Sequence, residues 1–233
     1  MTDANTDVNN IMTEKMATFG VHFGARRSRR HPSARNAVFG VKNDIDIIDL
    51  EKTNSVLDKA KEFVASLAKS GKQLLLVGNK AEARGIVTEE AVRAGLPFVA
   101  LRWIGGTFTN FDEIRKRIDY LQNIKEQSKK GEMGRYTKRE RGKFTKEVKD
   151  LERLFGGIAE MKQMPGAIFV IDSDHEKTAV MEAKKIGIPV LGFASTDCDL
   201  NMLDFAIIGN DKSVPSISLI TKEIVGAYTY GRN

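Results

Sequence analysis

The sequence predicts an α/β domain on a mostly parallel sheet, into which a pair of long helices is inserted. Three observations carry this. Leu74–Val77, Ala167–Ile171 and the segment Pro189–Gly192 are short apolar runs without polar alternation, as strands buried on both faces require. Amphipathic stretches at helical spacing lie between them. Two of those stretches close on a similar phrase, Ala94-Gly95-Leu96-Pro97 and Ile186-Gly187-Ile188-Pro189. In each, the glycine provides a left-handed helix cap, and the proline stops the helix and opens the next strand. The alternation is that of βαβ units.

In chain order, residues 1–15 are polar and read as a flexible N-terminal extension, and the globular domain spans 16–108 and 163–233. Ile45, Ile47 and Ile48, between Asp44 and Asp49, suggest a strand with one wetter face. Val56, Leu57, Ala60, Phe63, Val64 and Leu67 form a helical stripe, followed by the Leu74 strand, the helix Ala83–Ala94 and a weaker strand at Phe98–Leu101. After the Ala167 strand come the helix Ala179–Ile186, the Val190 strand and a weaker one at Phe205–Ile208. Pro215 suits the first position of a final helix running towards Tyr228. Residues 109–162 break the alternation. Phe111, Ile114, Ile118, Leu121 and Ile124 form one stripe, and Phe144, Val148, Leu151, Phe155 and Ile158 another, both near heptad spacing. Gly131 and Gly134 lie in the polar stretch between them. This predicts an antiparallel coiled-coil hairpin that protrudes, because one narrow seam per helix pairs the helices without joining a globular core.

With 233 residues and 41 % apolar content, the chain is long enough for one substantial core and an appendage, and too apolar to be disordered throughout. The single cysteine, Cys198, can form no internal disulfide and suits a reducing, cytoplasmic compartment. The first residues lack a basic stretch followed by an apolar one, and no apolar run approaches the ~20 residues of a membrane span, so neither a secretory leader nor an anchor is expected.

Charge is unevenly placed. The interval Arg115–Arg153 holds fourteen basic residues against seven acids, and Arg26–Arg35 holds five arginines and no acid. The whole chain is +6, so the remainder is −6: an acidic body with two basic devices. A charged helix surface is ordinarily a solvated face laced with i,i+4 pairs, but pairing needs equal numbers, and here bases are in twofold excess. Arginine forks suit phosphate, and each neutralised phosphate releases counterions.

Enzyme signatures are wanting. No GxxxxGK[ST] or GxGxxG occurs, and His22, His31, His175 and Cys198 are too scattered for a zinc site, so no metal and no cofactor is expected. Asp172, Asp174, His175 and Glu176 follow a strand end, where α/β enzymes place ligands, but these residue types also cap the helix that follows. Acids flanking Cys198 raise a thiol pKa and work against nucleophilicity. His22, between Val21 and Phe23, reads as a buried, hydrogen-bonded ring, and Trp103 as a core anchor in preference to a stacking platform.

The phrase Arg102-Trp103-Ile104-Gly105-Gly106-Thr107-Phe108-Thr109-Asn110 closely resembles the signature of the small-subunit ribosomal protein two family, bacterial and organellar type. So do Gly20–Gly24, Asn43–Thr53, Phe169–Asp172, Glu182–Pro189 and Gly209-Asn210-Asp211, in order from about Met16 to Tyr230. The resemblance implies a flavodoxin-like parallel sheet flanked by helices, with a protruding coiled-coil hairpin. It also implies a non-catalytic role on the ribosome, bound to small-subunit ribosomal RNA and neighbouring ribosomal proteins. In many bacteria these include the large protein that recruits messenger RNA. The chain departs from the family at Ala25, where His or Gln is usual, and over 26–32, where a cationic run replaces a segment with an aromatic and Asn-Pro-Lys. The expected RNA contacts are Arg26, Arg27, Arg29, Arg30, Arg35, Arg102, Gly105, Gly106, Thr107, Asn110, Arg115, Lys116, Lys129, Lys130, Arg135, Lys138, Arg139, Arg141 and Lys143. The competing reading is a phosphate-ligand-binding enzyme on a Rossmann-like fold.

Overall fold

The computed structural model describes residues 3–129 and 137–232. Eight strands occur in it: β1 Phe23–Arg26, β2 Val38–Lys42, β3 Ile45–Ile48, β4 Leu74–Val77, β5 Phe98–Val99, β6 Ala167–Ile171, β7 Val190–Ala194 and β8 Phe205–Ile208. The α-helices are α1 Asp3–Thr18, α2 Leu50–Lys69, α3 Ala81–Ala94, α4 Phe111–Lys129, α5 Lys138–Phe155, α6 Lys177–Lys185 and α7 Val214–Arg232.

Five strands pair in parallel in the order β5-β4-β6-β7-β8. Numbered among themselves along the chain, these are 2-1-3-4-5, the flavodoxin-like order. The unbroken apolar strands follow from burial on both faces. Leu74, Leu76, Phe169, Ile171, Leu191 and Phe193 pack towards α1, α2, α3 and α7, sharing a core with Met16, Leu57, Val64, Val87 and Ile224. Their neighbours Leu75, Val77, Ile168 and Val170 point to the other side, where α6 lies with Trp103, Phe108, Phe155 and Ile158. Gly95 (φ +66°) and Gly187 (φ +75°) adopt the left-handed conformation expected after α3 and α6.

Three features differ from the sequence expectations. Residues 1–15, read as a flexible extension, include most of α1; Met12 and Met16, one turn apart, lay its last turns on the core. The small antiparallel sheet, ordered β1-β3-β2, was anticipated only at β3. Its hairpin turns on Asn43 (φ 52°) and Asp44 (φ 61°), the two positive φ values that a tight hairpin demands and that these residue types tolerate. Finally, the two stripes of 109–162 do join the globular core: Ile114, Ile118, Phe155 and Ile158 belong to the α6-side cluster. Leu121 and Ile124 farther along α4 are also buried, whereas Phe144, Val148 and Leu151 of α5 are only half-buried.

Gly157 lies where an added Cβ would overlap the carbonyl oxygen and ring of Phe98, whereas one at Gly85, on the exposed side of α3, would meet open space. Gly157→Ala should lower stability by roughly 1–3 kcal/mol through overpacking. Gly85→Ala should raise it by about 0.5–1 kcal/mol through helix propensity. Urea unfolding midpoints of the two variants check both signs.

Candidate nucleic-acid interface

The arginine-rich segment is an ordered ledge. It leaves β1 at Arg26, makes a 3-10 turn over Arg27–Arg29, and enters a second over Pro32–Ala37, where His31 Nδ1 accepts from the Ser33 N–H. The Arg27 N–H donates to the Asp44 carbonyl at 2.8 Å, tying the ledge to the β2–β3 hairpin. Arg26, Arg27, Arg29 and Arg35 are exposed and form no ion pair among the described residues. Arg30 differs. Its guanidinium turns inward, donates from Nε to Asp46 Oδ2 at 2.8 Å, and pairs through Nη2 with Oδ1 of the same carboxylate. Asp46 is wholly buried, so this bidentate pair neutralises it; the hydrogen bond to Asp46 lifts the Arg30 pKa further. Arg30, expected to meet phosphate, is thus a structural partner of the sheet. An open cavity of about 740 Å³ is lined by Arg26, Arg27, Ser28, Asn43, Asp44 and Ile45.

The Arg102–Asn110 turn is organised by Glu182, buried on α6. Its Oε1 accepts from Trp103 Nε1 at 3.2 Å and the Gly106 N–H at 2.7 Å. Oε2 accepts from the N–H groups of Phe108 at 2.9 Å and Thr109 at 3.2 Å. Burial would raise the pKa of this carboxyl, but the donors from Phe108, Gly106, Thr109 and Trp103 outweigh it, and the net shift is downward. Trp103 is a core anchor, with its ring edge-on to Phe108 at 4.9 Å. The Gly106 N–H and the Thr107 hydroxyl, which donates to the Ile104 carbonyl at 2.6 Å, are therefore used inside the protein. Arg102, Gly105 and Asn110 remain exposed.

On α4 the bases are largely spoken for. Arg115 donates from Nη1 to the carbonyls of Ala159 and Met161 and pairs with Asp119, Lys116 pairs with Glu113, and Lys125 reaches Glu152 of α5 at 2.7 Å. On α5, which opens with a Thr137/Glu140 capping box, the bases are free: Lys138, Arg139, Arg141, Lys143, Lys146, Lys149 and Arg153 are exposed and in no ion pair among the described residues. Lys130 and Arg135 lie outside the described residues, and Lys129 is the last residue of α4.

The crevice between β4 and β6, where strand order reverses and doubly wound folds bind ligands, is closed by internal pairing. Asn79 donates from N and Nδ2 to Glu176 at 2.7 and 3.0 Å. Lys80 Nζ donates to Asp172 Oδ2 at 2.9 Å and lies 3.6 Å from Asp211 Oδ1. Asp172 also accepts from the His175 N–H in the turn before α6, the capping-type role favoured by its residue type. One ammonium serves two carboxylates, and only Asp172 is hydrogen-bonded to it. Burial, with the Asp172 charge beside it, pushes Asp211 up to about 7. Burial and the same two acids push the Cys198 thiol up to about 12, which disfavours the thiolate. Asp172, Cys198 and Asp211 bring one ligand atom each within 4.8 Å of one another, but the Lys80 ammonium already supplies the positive charge there. His22 was expected to be a hydrogen-bonded ring; it is half-buried, and its buried Nδ1 finds no partner among the described residues.

A protein-family model described as Ribosomal protein S2 matches residues 16–231. The chain belongs to the ribosomal protein S2 family. It is 42 % identical over 214 residues to the small ribosomal subunit protein uS2 of Roseiflexus castenholzii, covering 92 % of this chain and 81 % of that one. It is 40 % identical over 224 residues to the protein of the same name from Geotalea uraniireducens, covering 96 % and 88 %. The Dehalococcoides mccartyi uS2 is 39 % identical over 214 residues, covering 92 % and 87 %. In this S2 chain the residue that sequence reasoning left without a role is Glu182, and a signal was present: an acid lies between Ala179, Val180 and Ala183 on the apolar side of its helix.

Two titrations follow. The depressed Glu182 pKa means stability held above the ordinary glutamate value and lost as the pH falls towards the folded-state value; Glu182→Gln should remove that dependence and lower stability at pH 7 by roughly 1–3 kcal/mol. For Asp211 the sign reverses. A folded pKa of about 7 against an ordinary 3.8 means stability that declines as the pH rises between them. Asp211→Asn should therefore gain up to roughly 2–3 kcal/mol on the wild type between pH 5 and pH 8, read from urea midpoints at the two pH values.

Proposed function

We propose that this protein is a structural constituent of the small ribosomal subunit. It is held to ribosomal RNA by the Arg26–Arg35 ledge and by the basic face of α5, with neighbouring ribosomal proteins as its other partners. The family membership and the uS2 relatives support the subunit assignment and a non-enzymatic role in translation. The observation that carries the RNA contact is the division of the bases. Arg30, Arg115, Lys80 and Lys125 answer acids or carbonyls within the protein, whereas Arg26, Arg27, Arg29, Arg35 and the α5 series face solvent without an acid partner among the described residues. Unpaired bases of one sign on an otherwise acidic body concentrate affinity for a polyanion at those two places. The α4–α5 pair joins the core at its near end through Ile114, Ile118 and Phe155 and continues beyond it, on heptad-like seams, as a coiled-coil arm that carries the second basic face. Contact is by shape and phosphate, without readout of base sequence by the parallel sheet. Its cellular location is the ribosome; no helix among the described residues is long and apolar enough to cross a membrane.

Binding of the full chain to small-subunit RNA across a salt series tests this. Replacing Arg26, Arg27 and Arg29 together with Gln should flatten the slope of log affinity against log salt by about 2–3 while leaving the urea midpoint unchanged. Arg30→Gln should do the reverse, leaving Asp46 buried and unpaired at a cost of roughly 3–5 kcal/mol. A triple variant that binds like the wild type at every salt concentration would remove the ledge from the RNA interface.

A further inference from the structure

The small sheet presents an outer face that the arginine ledge does not explain. On β3, Asp46 and Ile48 are buried, so Ile45 and Ile47 point outward. Cross-strand partners share a face, which places Arg26, Ile45 and Lys42 in one row and Phe23, Ile47 and Gly40 in the next. The register shift between Val38 and Gly40 inserts Phe39, a residue 82 % exposed; Phe23 is 45 % exposed. Gly40 has open space where a side chain would stand. The small sheet therefore exposes the bulged Phe39 and, less fully, Phe23, beside the aliphatic Ile45 and Ile47, with Arg26 and Lys42 in the neighbouring row and Arg27 at the adjoining turn. Its acids are accounted for: Asp46 lies beneath, paired with Arg30, and Asp44 alone stands exposed at the hairpin.

We propose that this face is a stacking platform for unpaired nucleotides of the ribosomal RNA, with Phe39 beneath a base and Arg26 and Lys42 at the flanking phosphates. The proposal rests on the RNA-anchored reading above and adds to it the kind of RNA and the residue that selects it. A solvated aromatic ring on a rigid strand matches the π face of any base, and a basic rim matches the chain that carries it, which is the arrangement by which sheets bind single strands. Duplex RNA keeps its bases stacked internally and has none to offer Phe39. A protein occupant with a complementary surface would need acids around an apolar centre, and it is the competing outcome.

The test uses small subunits lacking this protein, rebuilt with the wild type, with Phe39→Ala, with Phe39→Trp, or with Gly40→Thr, which fills the open space beside the ring. Phe39→Ala and Phe39→Trp should keep the wild-type urea midpoint, because Phe39 is exposed, and Gly40→Thr should match or exceed it, because a β-branched residue replaces a strand glycine whose Cβ would meet nothing. Acylation of RNA 2′-hydroxyls then reports nucleotide mobility. The expected result is a short unpaired stretch that is immobile with the wild type and Phe39→Trp and about fivefold or more reactive with Phe39→Ala and Gly40→Thr. Full-chain affinity for a single-stranded oligonucleotide should fall about tenfold in Phe39→Ala while affinity for a duplex of equal length is unchanged. Identical acylation profiles for wild type and Phe39→Ala would overturn the proposal. So would a difference that arises only when messenger RNA is added, or loss of a protein crosslink with no change in the RNA. Failure of the wild type itself to join the subunits would instead overturn the underlying RNA-anchored reading.

Discussion

One buried carboxylate sets the geometry of the α6 side of this molecule. Glu182 ties α6 to the Arg102–Asn110 turn by four N–H donors spread over seven residues of chain, Trp103 to Thr109, and α4 begins two residues later at Phe111. The direction in which α4 leaves the sheet, and with it the placement of the α5 basic face, depends on that acceptor. A carboxylate suits the position because it has two oxygens and accepts without donating, so several converging backbone N–H groups can be satisfied at once in a site closed to water. The Arg102–Asn110 turn is, in this chain, an internal latch.

The same division between inward and outward chemistry runs through the charges. Among the described residues each buried acid has a donor or a cation, with the partial exception of Asp211: Asp46 has Arg30, Glu90 has Arg93, Glu182 has the turn and Glu176 has Asn79, while the partly buried Asp172 has Lys80. Burying a carboxylate without such a partner is costly. These pairings draw down the bases near the sheet and leave those of the ledge and of α5 unopposed. A net charge of +6 is thus a poor description of a molecule whose surface is divided so sharply by sign.

The parallel sheet was legible because strands buried on both faces must be apolar throughout, and because Gly95-Leu96-Pro97 and Gly187-Ile188-Pro189 mark helix ends by backbone chemistry alone. The small sheet was not. Phe23–Arg26 and Val38–Lys42 mix exposed aromatics, arginine and glycine, a pattern that makes sense only once an outer face exists. Among the bases, residue type identified the two basic segments but could not say which members turn inward. Arg30 and its neighbour Arg29 look alike in sequence, and what separates them is Asp46, sixteen residues on from Arg30 and opposite it in space. Gly106 and Thr107 of the Arg102–Asn110 turn suggested close approach to RNA for the same reason; the Gly106 N–H is taken by Glu182 and the Thr107 hydroxyl by the Ile104 carbonyl.

The most direct test of the account is sedimentation of this protein with small ribosomal subunits from cell extract, followed by washes of increasing salt. If unpaired arginines and lysines on the ledge and on α5 hold it to RNA, the protein co-migrates with the small subunit at low salt and is released progressively as the salt rises. Recovery of the protein only in the soluble fraction, or retention on the subunit with no dependence on salt, would contradict it.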